Sequence, residues 1–199
     1  MPFIGNKPTA VPLSGDDIQD GTIALADLSA TGTKDSTTFL RGDNTFASAG
    51  GTNTPAFEAY KDGASQSLSD DVWTKMTLPS ETYDTDNAFD SSTNYRFTPQ
   101  TAGKYFFYAK SKLQVSTYND LRHGFVKFYK NGSAVNITEV SFAPYGNTTG
   151  GTLVSPFTSA VIDMNGSTDY VEAYIRIDGL NATNQSAEYN IFGGYKIIE

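Results

Sequence analysis

Over most of residues 52–199 apolar and polar residues alternate with a period of two, the signature of half-buried strands. From Lys104 onward, Tyr105, Phe107, Ala109, Leu113 and Val115 fall on one side of an extended chain, and Phe106, Tyr108, Lys110, Lys112 and Gln114 on the other. The first side is a core face. The second begins aromatic and ends charged, which predicts that half of it is covered by something outside the domain's own core. Residues 170–177 alternate most cleanly, Val171, Ala173, Ile175 and Ile177 against Tyr170, Glu172, Tyr174 and Arg176, as a sheet with one buried face does. Further strands are predicted at 57–60, 72–78, 95–97, 125–130, 135–142, 157–162 and 189–198, with Gly193-Gly194 as a point of close approach. Pro99 and Gly103 break the chain between two of them, and Asn131-Gly132 is the strongest hairpin signal. The tally is about eight to ten strands, no helix of weight, and an antiparallel double sheet.

Residues 1–51 follow another rule. All twelve Tyr and the single Trp lie beyond them. What they hold is a sparse apolar ladder, Ile18, Ile23, Leu25, Leu28, Phe39, Leu40 and Phe46, set among Gly, Ser, Thr and Asp. Such a ladder is too thin to fold alone and buries itself only against copies of itself. A short helix over 23–28, with Thr22 as N-cap, is predicted. The alternative is a disordered tether, which the Ser48-Ala49-Gly50-Gly51 run suits locally. The chain therefore divides into a segment of 1–51 and a domain of 52–199.

A net charge of −8 and a pI near 4.6 argue against a nucleic-acid partner, which needs clustered Lys and Arg. The absence of cysteine excludes thiolate chemistry and cysteine-based metal sites. No apolar run approaches a membrane span, and the first residues lack the apolar run of a signal peptide, so membrane insertion and export are not expected.

Enzymatic chemistry finds little to use. His123 is the only histidine and no nucleophile elbow accompanies it. Asp84, Asp86 and Asp90 have oxygen-ligand spacing that suits calcium weakly; a solvated acidic loop is the favoured reading, and no cofactor is expected. Trp73 is read as a packing residue in preference to a sugar-stacking platform. Arg41-Gly42-Asp43 is read as turn chemistry, not as an adhesion tripeptide. The Asn-x-Ser/Thr sequences at Asn131, Asn136, Asn147, Asn165, Asn181 and Asn184 would suggest glycosylation in a secreted eukaryotic protein and reduce to turn-forming Asn and strand-edge Thr in one that is not exported.

Two resemblances add to this. Pro55-Ala56-Phe57-Glu58-Ala59-Tyr60, Phe89-Asp90, Phe97-Thr98-Pro99, Ala102-Gly103-Lys104-Tyr105-Phe106-Phe107, Tyr129-Lys130-Asn131-Gly132 and Phe192-Gly193-Gly194-Tyr195 resemble, in order and spacing, the globular head of complement component 1q. That head is a trimeric jelly roll related to tumour necrosis factor. The resemblance implies an all-β fold, an antiparallel jelly-roll sandwich of about ten strands preceded by an extended, mostly irregular N-terminal segment. It also implies a homotrimer, with Phe106 and Tyr108 at the interface. The stretches 4–8, 16–23 and 35–47 resemble N-terminal segments of phage tail-fibre and related virion proteins. They imply a virion protein assembled in the host cytoplasm, attached to other virion proteins through 1–51, with Ile18, Ile23, Leu25 and Leu28 packing in the shaft.

Antiparallel order then separates the loops by end. If the first strand of the head leaves the shaft, the long connections 78–94, 116–123, 143–152 and 179–188 fall at the far end. They carry Tyr83, Tyr118, Asn119, Tyr145, Asn147, Asn181, Asn184 and Gln185. Tyr with Asn is a recognition vocabulary, so these loops are expected to bind a host-surface glycan or protein. The rival readings are a non-adhesive head fibre or capsid decoration, and a secreted lectin-like defence protein.

Overall fold

The structure is a computed structural model. It describes residues 24, 29–48, 53–117, 120–143, 152–180 and 185–198. Ile18, Ile23, Leu25 and Leu28, and with them the predicted helix, lie outside the described residues. The chain divides into two compact units, Met1–Gly51 and Thr52–Glu199.

In the first unit the described residues form a hairpin of β1 (Thr38–Leu40) and β2 (Phe46–Ser48), paired antiparallel. Its turn holds Arg41-Gly42-Asp43. The Thr45 N–H donates to Asp43 Oδ1 at 3.1 Å and the Asn44 N–H to the Arg41 carbonyl at 3.0 Å. These are the side-chain and backbone bonds of an ordinary turn.

The second unit is two seven-stranded antiparallel sheets. Sheet one contains β5 (Thr74–Lys75), β7 (Phe89–Asp90), β8 (Arg96–Phe97), β10 (Leu121–Lys130), β11 (Ser133–Ala134), β12 (Val140–Phe142) and β15 (Val171–Gly179). Sheet two contains β3 (Ala56–Lys61), β4 (Gln66–Leu68), β6 (Ser80–Asp84), β9 (Ala102–Val115), β13 (Leu153–Val154), β14 (Phe157–Asn165) and β16 (Gln185–Ile198). The central order of sheet two is β14-β9-β16-β3-β6, and that of sheet one is β12-β10-β15-β8-β7. Sequential strands switch sheets repeatedly, as β8 to β9, β9 to β10, β14 to β15 and β15 to β16 do. The result is a jelly roll.

The core is the alternation realised. In β9, Tyr105, Phe107, Ala109, Ser111, Leu113 and Val115 are buried, and the residues between them are not. Phe57 sits at the centre, stacked on Phe97 at 4.3 Å and Phe89 at 5.0 Å and met edge-on by Phe192 at 4.9 Å. Burial pushes the Tyr105 phenol up to about 12, and its hydroxyl donates to the Thr101 carbonyl at 2.8 Å.

Three stretches depart from simple alternation. The predicted strand at 72–78 pairs only at Thr74 and Lys75. The Met76 N–H still donates to the Ala173 carbonyl at 2.9 Å, and Gln66 satisfies two further backbone groups: its Nε2 donates to the Lys75 carbonyl at 2.7 Å and its Oε1 accepts from the Thr77 N–H at 3.0 Å. The predicted return strand at 135–142 is split by a 3-10 turn, Asn136–Thr138. There Thr138 Oγ1 accepts from the Phe128 N–H at 2.9 Å and donates to the Val135 carbonyl at 2.7 Å. In β16 a bulge lies between Glu188 and Ile191 in its pairing with β9. It reverses the strand's phase, so Gln185 and Ala187 are buried before it, Asn190 and Phe192 after it.

Strand ends sort by end of the sandwich. Pro55 accepts from the Lys196 N–H, Ala102 pairs with Asn165, and Lys130 with Val171, which gathers these at the end where the head begins. Val115 pairs with Gln185, Leu121 with Gly179 and Leu153 with Gln114, so the opposite end collects the strand ends that flank 116–120, 143–152 and 180–184.

Candidate functional site

Register assembles the outward side of sheet two into rows. In one, Val161 faces Phe106, Phe106 faces Tyr195 and Tyr195 faces Ala56. In the next, Ser159 faces Tyr108, Tyr108 faces Gly193, Gly193 faces Glu58 and Glu58 faces Tyr83. Phe106 and Tyr195 lie with ring centroids 5.6 Å apart, and Phe106 and Tyr108 6.4 Å apart. Val161 is 54% exposed and Tyr195 37%, with Phe157 and Ile197 also open. Such a band is apolar surface with no cover from its own chain.

One aromatic in it is pinned. A Cβ on Gly193 would stand 2.4 Å from the Tyr108 ring, so glycine is what lets that ring lie flat across β16. The Tyr108 hydroxyl reaches Glu58 Oε2 at 2.7 Å, and the Thr82 hydroxyl donates to Glu58 Oε1 at 2.9 Å. Burial, then the Glu58 carboxylate, pushes the Tyr108 phenol far above its ordinary range, so it is a permanent donor. On the inner side Phe107 packs over Gly194 in the same way.

Toward the far end the face turns polar. Lys112 Nζ meets Glu188 Oε2 at 3.0 Å, and Gln114 and Ser65 donate to Glu188 Oε1 at 2.7 Å and 2.9 Å. These bonds, the Lys112 one foremost, hold the Glu188 carboxyl below its usual value. The bulge opens a cleft of ≈ 340 Å³ lined by Glu58, Tyr60, Lys61, Lys110, Tyr189 and Ile191.

The structure therefore brings Phe106, Tyr108 and Tyr83 together on one face. Tyr83 corrects the loop assignment: it lies in β6, opposite Glu58, because the supposed connection 78–94 contains a strand. Gln185 likewise begins β16 and is buried. Tyr118, Asn119, Tyr145, Asn147, Asn181 and Asn184 lie outside the described residues.

The Asp84, Asp86 and Asp90 carboxylates are occupied by their own loop. Asp84 Oδ2 accepts from the Phe89 N–H at 2.7 Å, Asp86 Oδ1 from the Thr85 hydroxyl at 2.6 Å, and Asp90 from Ser92, Thr93 and Asn94. The Thr93 N–H, with Asn94 and Ser92, holds the Asp90 carboxyl far below its ordinary value. Among the described residues no group of three or more His, Asp or Glu is placed to hold a metal ion. His123 Nδ1 lies 3.4 Å from Asp178 Oδ2.

No family model and no curated protein matches the chain. Solved structures do. The head is similar to globular domains of the complement 1q and tumour-necrosis-factor type. The globular domain of a zebrafish complement 1qA protein is 17% identical, with a TM-score of 0.47, covering 73% of this chain and 98% of that one. Eiger TNF from S. frugiperda is 12% identical, with a TM-score of 0.48, covering 73% and 94%. Murine APRIL is 11% identical, with a TM-score of 0.45, covering 71% and 99%.

Proposed function

We propose that the protein is a homotrimeric fibre or spike protein of a bacteriophage virion, attached through 1–51 and displaying the head toward the host surface. The observation that carries the trimer is the apolar band of Val161, Phe106 and Tyr195 beside Tyr108, open to solvent at Val161 and Tyr195. A second exposed apolar set supports a ring: Ile137, 92% exposed, with Phe142 and Leu153, lies on the strands and turn that border the sandwich. Two different patches, face and edge, close a cyclic assembly head to tail, whereas a twofold dimer uses one patch twice. Glycan or protein adhesion is assigned to the far-end loops, with Tyr118, Asn119, Tyr145, Asn147, Asn181 and Asn184 as contacts. Three copies around one axis multiply a weak affinity.

The head needs no reacting group for this work, and we infer no enzymatic activity. Sedimentation of the purified chain tests the assembly: a trimer at micromolar concentration is expected, and a stable monomer overturns it. Adsorption of virions carrying Tyr118→Ala with Tyr145→Ala tests the loops: loss of adsorption with the trimer intact is expected.

A further inference from the structure

We propose that the outward face of sheet one carries a saccharide-binding platform centred on Trp73, on the opposite side of the sandwich from the assembly face. Trp73 precedes β5, and Thr74 pairs with Ile175, which lays the indole beside Arg176 on β15 and across to β10. Its ring sits 4.0 Å from Lys127 Nζ and 5.1 Å from the Arg176 guanidinium carbon, with Phe125 edge-on at 6.0 Å. Arg176 also lies 4.0 Å over Phe125. Lys127 Nζ is 5.5 Å from the Tyr129 ring, which in turn lies 4.0 Å from Tyr174. One buried ammonium thus stands between two half-exposed aromatic surfaces.

Folding alone does not ask for this arrangement. The Lys127 side chain is only 7% exposed, and desolvating an ammonium costs free energy that an apolar side chain in the same place would avoid. Arg176 Nε is buried without an acceptor, a second cost. The chemistry of the rim says what would use such a surface. Every cation has a carboxylate: Lys127 with Glu139 at 3.0 Å, Arg176 with Asp71 at 2.8 Å, Lys75 with Glu172 at 2.7 Å. The platform is therefore locally balanced and offers no field to a polyanion. It offers a flat indole, spare N–H donors on Arg176, which spends one on Asp71, and spare acceptor capacity on Asp71, whose side chain is 60% exposed. Apolar faces with hydroxyls at their edges match that combination, and neutral pyranoses have both.

Trp73 is the only tryptophan, so emission excited selectively at the indole's red edge, where the twelve tyrosines do not absorb, reads this site. Titration with cellohexaose and with tri-N-acetylchitotriose should give a saturable change in emission for at least one of them. Asp71→Asn, which keeps the fluorophore, should weaken that binding by about tenfold or more. Trp73→Phe, followed by calorimetry, should do the same while the melting temperature stays near that of the parent. The proposal is overturned by no saturable change with either oligosaccharide, by a response to heparin alone, or by saccharide binding undiminished in Asp71→Asn.

Discussion

The two outward faces of the head use the same materials to different ends. On sheet one the aromatics are held by neighbours: Trp73 over Lys127 and Arg176, Arg176 over Phe125, Tyr129 against Tyr174. On sheet two Phe106, Tyr195 and Val161 have little but each other and solvent. The rings of one face are held in place by cations of the same chain, and those of the other are not. Exposed aromatics therefore say little until their partners are counted; a ring held by a paired cation is fixed in place, and a row of apolar side chains without such partners is a surface awaiting cover.

The same substitution on the two faces should separate them most sharply. Phe106→Glu is expected to abolish the trimer, read by sedimentation, with the monomer still folded. Phe125→Glu is expected to leave assembly intact and to lower stability by about 2 kcal/mol, read by denaturant melts, because it puts a carboxylate into a packed stack. A trimer that survives Phe106→Glu breaks the contrast. Gly193→Val comes next. Its side chain displaces the Tyr108 ring and separates that hydroxyl from Glu58, at a cost of about 1–3 kcal/mol in thermal melts.

A smaller effect is expected on sheet one. Lys127→Met keeps the bulk beneath Trp73 and removes the desolvated charge, while Glu139 can turn to water. The change in stability should stay within about 1 kcal/mol in either direction.

Acid titration should be the mildest probe. Asp90, through the Thr93 N–H, and Asp169, through Lys130 and then Asn131, have carboxyls held below their ordinary values in the folded head. Groups lowered by folding stabilise fully above their unfolded pKa, so melting temperature should be flat from neutrality to about pH 4 and fall below it. Asp90→Asn should flatten that fall.

Most strands were readable, because a half-buried sheet writes a period of two into the chain, as β15 does and as β9 does but for the buried Ser111. The same alternation singled out Phe106 and Tyr108. Tyr83 was misplaced because β6, Ser80–Asp84, presents only Tyr83 as a large side chain among Ser, Glu, Thr and Asp, which reads as loop. Trp73 was read as a packing residue, and it does pack, on Phe125 and over Lys127 and Arg176; which neighbours it meets was not readable, because they lie far along the chain.

By itself the sequence determined most of the long strands and which face of each is apolar. Those are consequences of side-chain direction along an extended backbone, a local property. Only the tertiary structure decided the order β14-β9-β16-β3-β6, which aligns Val161, Phe106 and Tyr195 in a single row. It alone decided the bulge that reverses β16, and the pairing that sets Trp73 over two cations. Those depend on contacts between residues far apart in the chain, and a period of two is silent about which strand becomes a neighbour.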